Sequence, residues 1–231
     1  MRERIGLFSG TFDPVHRGHE AIVRSFLKCQ LFDQLMVLVT PDPPHKSGSV
    51  FAPFHDRIAM VSMAFTSCSN VYVSDLEHSL PQPNYSLQTI RAVRQQNPDA
   101  KLFFCLGGDS LKDFTRWYGP DKILEEVTLV VASRPEEDTA ALDARNLRND
   151  ADTTSADAEQ EVESFNQAGD LWGRILEKTI FVDHKPVSIS STQIRNQCAL
   201  DVSHRQDPWL RDVLHPDVFA VIRSKRLYGY S

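Results

Sequence analysis

The chain has 231 residues, 41% of them apolar, with 31 acidic and 25 basic side chains and a formal net charge of −6. That length builds one core with at most a small appendage, so a single domain is expected over 1–231. No run of 18 apolar residues occurs and an apolar strand-like run begins almost at once, so neither a membrane span nor a secretory signal is expected.

The acidic balance is unevenly placed. Residues 135–170 hold eleven acidic residues against two arginines, a local charge of −9, which leaves the remainder near +3. A mildly basic body suits a site for several phosphates, but it is too weakly basic for a nucleic-acid groove. Cys29, Cys68, Cys105 and Cys198 are scattered with no Cys-x-x-Cys pair, so free thiols in a reducing cytoplasm are expected, without zinc or disulfides.

Strand-like runs fall at 4–8, 35–40, 71–73, 102–106, 127–132 and 180–182. Val37-Leu38-Val39 and Leu102-Phe103-Phe104 are nearly continuous apolar stretches, as parallel strands covered on both faces should be. Helical stripes lie between them: Ile22, Phe26 and Cys29; Phe54, Ile58, Val61 and Phe65; Leu87, Ile90 and Val93 with Arg94. Alternation of this kind predicts an α/β, Rossmann-like, doubly wound parallel sheet with helices on both faces. Residues 135–170 break the pattern and read as an acidic insertion, solvated and partly mobile, with Trp172, Ile175 and Leu176 in a helix docking near its end. Residues 190–231 form a small helical part, with Val213, Leu214, Val218, Phe219 and Ile222 inward and Pro208 and Pro216 as punctuation.

The chemistry gathers at strand ends, where ligands of such sheets bind. Ser9-Gly-Thr-Phe-Asp-Pro-Val-His-Arg-Gly-His19 follows the first strand and opens a helix. Backbone N–H groups and the positive end of a helix dipole then converge on one spot that favours phosphate. His16 and His19, three apart, can lie on one side of the first turn and add donors there, while Asp13 before Pro14 reads as turn-forming. Ile189-Ser-Ser-Thr-Gln-Ile-Arg195 opens a second helix after another strand: Ser190 or Ser191 is a natural N-cap, and Thr192 and Arg195 add a hydroxyl and a guanidinium for the same anion. Gly107-Gly-Asp109-Ser110 ends the strand at 102–106; the Asp109 carboxylate could accept from ribose hydroxyls or cap a helix at 110–115. His55, His78, His184, His204 and His215 lack such context and read as surface or capping residues.

The first segment resembles the adenylyltransferase branch of the His-x-Gly-His nucleotidyltransferase superfamily, and most of all the bacterial nicotinate-nucleotide adenylyltransferases. The second segment is similar to that family's Ile-Ser-x-Thr-x-Ile-Arg. The resemblance implies transfer of AMP from ATP, arriving with Mg²⁺, to nicotinate mononucleotide, giving the dinucleotide precursor of NAD. It implies catalytic roles for His16, His19 and Arg195, and ATP contacts from Ser9, Gly10, Thr11, Phe12, Gly18, Gly107, Asp109, Ser190, Ser191 and Thr192. It also implies acceptor contacts from His45 and Lys46 in Pro43-Pro-His-Lys46, from Tyr85 and Ser86, from Trp117 and Tyr118, and from Arg134. Ser86 stands where threonine is usual, and the hydroxyl survives. No metal ligand set, nucleic acid or membrane is implied, and assembly into a homo-oligomer is left open. Alternatives are an adenylyltransferase taking nicotinamide mononucleotide or phosphopantetheine, and a non-catalytic nucleotide sensor on the same fold.

Overall fold

The computed structural model describes residues 2–42, 50–133, 170–200 and 207–231. Six strands form one sheet: β1 (Arg4–Gly10), β2 (Gln34–Val39), β3 (Val71–Ser74), β4 (Lys101–Gly107), β5 (Thr128–Ser133) and β6 (Thr179–Asp183). Their order is β3-β2-β1-β4-β5-β6, every neighbouring pair is parallel, and the order reverses between β1 and β4. The expected fold is the observed one. Each predicted strand is present and differs at its ends by at most two residues.

Period-two alternation divides the core in two. Ile5, Leu7, Met36, Leu38, Leu102, Phe104, Leu129 and Val131 point to one face. Phe8, Val37, Val39, Phe103, Cys105 and Val130 point to the other. Gly6 belongs on that second face because a Cβ there would come within 2.8 Å of Leu35 and 3.1 Å of Phe32.

The second face is covered by α1 (Arg17–Lys28) and α2 (Phe54–Phe65) through Val23, Phe26, Met60 and Val61. The C-terminal helices join them there: α7 (Ser191–Cys198) through Ile194 and Cys198, α8 (Asp207–Val213) through Leu210, and α9 (Pro216–Lys225) through Val218, Phe219 and Ile222. The first face is covered by α3 (Ser86–Gln96), α4 (Gly108–Lys112), α5 (Pro120–Glu126) and a helix, α6, over 170–177, through Leu87, Ile90, Leu111, Ile123 and Ile175. Pro216 starts α9 at its first helical position, where the missing N–H costs nothing.

The helix expected at 110–115 is instead α4 followed by a separate 3₁₀ turn at Phe114–Arg116. Its N-cap is Gly107, so Asp109 sits in the first turn and is not the cap. The acidic stretch at 135–170 lies outside the described residues up to residue 169, as do His45, Lys46, Arg134 and His204. All four cysteines are free; Cys105 and Cys198 are buried, Cys29 and Cys68 half-buried. Among the described residues no helix is long and apolar enough to cross a membrane.

Candidate active site

A cleft of about 980 Å³ opens over the carboxyl ends of β1 and β4, where the strand order reverses. Gly10, Thr11, His16, Gly18 and His19 line it from the first motif, and Ser190, Ser191, Thr192 and Arg195 from the second. Gly107 and Asp109 line it from the end of β4.

The β1 exit is shaped by its aromatic residue. Phe12 takes a left-handed backbone (φ 49), rare for a residue with a Cβ, and its ring folds over Gly10, whose own Cβ would lie 3.0 Å from it. From there the buried Phe12 ring meets Phe8 and His19 edge-on, at 5.7 and 5.0 Å between centroids. His19 is therefore propped by a core aromatic residue rather than standing free in solvent.

His16 is the N-cap of α1, with extended backbone and a buried side chain. Burial pushes its pKa down to about 4, so it is a neutral imidazole at pH 7. Its Nδ1 is buried without a hydrogen-bond partner among the described residues. The His16 N–H donates to His19 Nδ1 across 3.2 Å. Since His19 Nδ1 accepts, hydrogen bonding assigns the proton of neutral His19 to Nε2. Gly18 leaves room for the His16 ring: a Cβ there would come within 3.0 Å of it.

The second motif docks onto the first. Ser190 caps α7, its Oγ accepting from Gln193 N–H at 3.2 Å while its own N–H donates to Gln193 Oε1 at 2.8 Å. Ser191 Oγ donates to the Pro14 carbonyl at 3.0 Å. Arg195 donates through Nη1 to the Asp13 carbonyl at 2.8 Å and through Nη2 to Thr192 Oγ1 at 3.1 Å. Its guanidinium carbon lies 4.4 Å from the Phe51 ring centre.

Two buried charges hold the surrounding loops. Arg57 is 1% exposed and donates to the carbonyls of Thr11, Thr40, Pro41 and Ala52, stitching the β1 exit to the β2 exit. The Asp13 carboxylate accepts from Phe51 N–H, Ala52 N–H and the Tyr228 hydroxyl at 2.7, 3.1 and 2.8 Å. Burial and the Asp13 charge push the Tyr228 phenol up, so it stays a donor. Asp13 does form the expected turn, and it also joins three distant segments.

Other expected residues fall as follows. The Ser9 hydroxyl donates inward to buried Glu77 at 2.8 Å and lies 3.1 Å from Thr40 Oγ1. Asp109 is exposed and pairs with Lys112 at 3.1 Å. Tyr85, Ser86, Trp117 and Tyr118 do not line the cleft. Trp117 packs on Phe104 and Phe114, while Tyr118 stacks on Tyr85 at 4.7 Å, beside the N-terminus of α3. His215 caps α9 as expected, accepting from Asp217 N–H.

His184 corrects the expectation of a surface residue. It is 8% exposed, lines the cleft, and its Nδ1 lies 3.0 Å from Ser25 Oγ on α1, because β6 ends against that helix. Burial pushes its pKa down. Beside it, Ser133 Oγ is buried at the end of β5 and has no hydrogen-bond partner among the described residues.

The cytidylyltransferase-like family matches residues 7–197. A protein of Chromobacterium violaceum named "Probable nicotinate-nucleotide adenylyltransferase" is 31% identical over 230 residues, covering 99% of this chain and 100% of that one. One of the same name from Synechococcus sp. is 30% identical over 228 residues, covering 99% and 96%. Among solved structures, a Plasmodium falciparum nicotinic acid mononucleotide adenylyltransferase complexed with NaAD covers 100% of this chain and 99% of its own, with a TM-score of 0.71 at 18% identity, a likeness of fold. With matches along essentially its whole length, the chain belongs to the cytidylyltransferase-like family and, within it, to the nicotinate-nucleotide adenylyltransferases.

Proposed function

We propose that this chain transfers AMP from ATP to nicotinate mononucleotide, releasing pyrophosphate and forming the dinucleotide precursor of NAD. One observation carries the reading: residues 177 and 182 apart in sequence, Ser191 with Pro14 and Arg195 with Asp13, are hydrogen-bonded so that both motifs line one cleft of about 980 Å³. The N-termini of α1 and α7 then aim unpaired N–H groups at the same anion.

In this mechanism a phosphate oxygen of the mononucleotide attacks the α-phosphorus, a P–O bond to it forms, and the bond to the bridging oxygen of pyrophosphate breaks. The nucleophile is already ionised near pH 7, so no general base is needed. The work is to hold two anions in line and to offset the charge that builds on the leaving oxygens. His19, with its proton on Nε2, donates there. Arg195 supplies fixed positive charge, and His16 contributes a neutral ring. Mg²⁺ enters as part of the nucleotide substrate, held by phosphate oxygens.

The acceptor site we assign to Tyr85, Ser86, Trp117 and Tyr118; the resemblance adds His45 and Lys46 as candidate phosphate ligands and Arg134 as positive charge, all three outside the described residues. Ser86 begins α3, so its N–H and that of Leu87 lie in the first turn, where no intrahelical partner exists. Fixed donors favour a carboxylate, which only accepts, over a carboxamide, which would turn its own NH₂ toward them. Four free thiols suit a reducing cytoplasm.

The test is pyrophosphate release with ATP and, in turn, nicotinate mononucleotide, nicotinamide mononucleotide and phosphopantetheine. The nicotinate acceptor should give the highest kcat/KM. Preference for either other acceptor overturns the acceptor assignment, and no release with any of them favours a nucleotide sensor.

A further inference from the structure

We propose that Asp13 is a positioning residue that sets Arg195 from two sides: its main-chain carbonyl accepts from the guanidinium, and its carboxylate holds Phe51, over whose ring the guanidinium carbon lies. The inference rests on the reading that Arg195 serves the phosphates.

The edge contact is Arg195 Nη1 to the Asp13 carbonyl, 2.8 Å. The face contact is indirect. Asp13 Oδ2 accepts from Phe51 N–H at 2.7 Å, and the Phe51 ring centre lies 4.4 Å from the guanidinium carbon. Phe51 is 62% exposed, so burial in the core does not hold its ring in place. Its anchor is the backbone, and the backbone is anchored on Asp13. An exposed phenylalanine stacked on an arginine loses apolar surface to water but gains by fixing a flexible cation, since the ring face attracts the guanidinium.

The carboxylate itself is committed on both oxygens. Oδ1 accepts from Ala52 N–H at 3.1 Å and from the Tyr228 hydroxyl at 2.8 Å. Asp13 is 4% exposed, so water cannot replace these donors. An amide of the same shape fails here. In Asp13→Asn one of the two positions becomes an NH₂, and a donor then faces the N–H of Phe51 or of Ala52. The loop must move, and the Phe51 ring moves with it. Among the described residues, Asp13 and Thr192 engage two of the five guanidinium N–H donors of Arg195, and the others are the proposed donors to an anion in the cleft.

The experiment is a set of double-mutant cycles on the full chain, read by pyrophosphate release as kcat and as KM for each substrate. Asp13→Asn and Phe51→Leu are made alone and together with Arg195→Ala. Alone, Asp13→Asn should lower kcat about tenfold and Phe51→Leu about threefold, with KM for the acceptor moved less than about twofold. In the Arg195→Ala background, each should change kcat by less than about twofold, because its effect passes through the missing guanidinium. A merely structural role would cost as much with Arg195 as without it, so additive losses overturn the proposal. Phe51→Leu, exposed and therefore safe for folding, carries the test if Asp13→Asn does not fold. Arg195→Ala turning over at the parental rate would sink the reading of Arg195 and the proposal together, whereas a slow Arg195→Ala with additive losses sinks the proposal alone.

Discussion

Ser191 Oγ and the carbonyl of Pro14 are joined by a 3.0 Å hydrogen bond, although 177 residues separate them. Neither segment builds the site alone. Each supplies one helix N-terminus, and the bond ties the two together on one cleft, as the proposed grip on a polyphosphate requires.

His19→Ala should lower kcat by about 10²–10³-fold, as expected for loss of one donor to the developing charge. The ring also meets Phe12 edge-on at 5.0 Å, so a stability loss of about 1 kcal/mol accompanies it. Turnover with a thermal melt separates the two effects. A folded variant with parental kcat removes His19 from the mechanism.

Gly18→Ala probes His16 without changing it. The added methyl would sit 3.0 Å from two atoms of the His16 ring, so the ring must shift by a few tenths of an ångström. Loss of about tenfold in kcat with a near-parental melting temperature is expected. Parental turnover would show that the His16 ring position does not matter.

Stability should fall with pH in a defined window. The His16 pKa is about 4 in the folded chain, lowered by burial, against an unfolded value of about 6.5. Between these values the unfolded chain binds a proton that the folded chain refuses, so stability drops as pH falls through that range. The full effect is about 3 kcal/mol. Urea denaturation at pH 7 and pH 4.5 should show this drop, and His16→Asn should show less of it. Identical pH dependence in the two proteins would remove His16 as the cause.

Arg57→Met should unfold the loops around the cleft. Four carbonyl oxygens lose a donor at once, two of those bonds buried and two part-buried, and a cost of about 3 kcal/mol in urea denaturation is expected. Arg57→Lys, with a point charge in place of a planar fork, should recover only part of it. A variant as stable as the parent would mean that water or other donors replace the guanidinium.

The sheet was legible because parallel strands covered on both faces must be apolar almost throughout, as Val37-Leu38-Val39 and Leu102-Phe103-Phe104 are. That the two motif segments would share a cleft was legible because glycines, hydroxyls and histidines at a strand-to-helix turn have a specific physical use. Arg57 was not. It sits in the same helix as the apolar stripe of Phe54, Ile58 and Val61, and a charge in such a helix ordinarily faces water. His184 stands between Asp183 and Lys185 and looks like surface; only the fold brings it to Ser25, 159 residues away. Asp13 and Tyr228 escaped for the same reason, since a hydrogen bond between residues 215 apart leaves no local trace.

The two cores of the sheet carry different parts of the proposed site. Of the helices that open on the cleft, α1 and α7 rest on one layer and α4 on the other, together with α3 and Trp117, assigned to the acceptor. Remodelling the acceptor layer therefore leaves the triphosphate grip standing. A scaffold built this way can change the molecule that receives AMP without rebuilding the two helix N-termini proposed to hold the triphosphate.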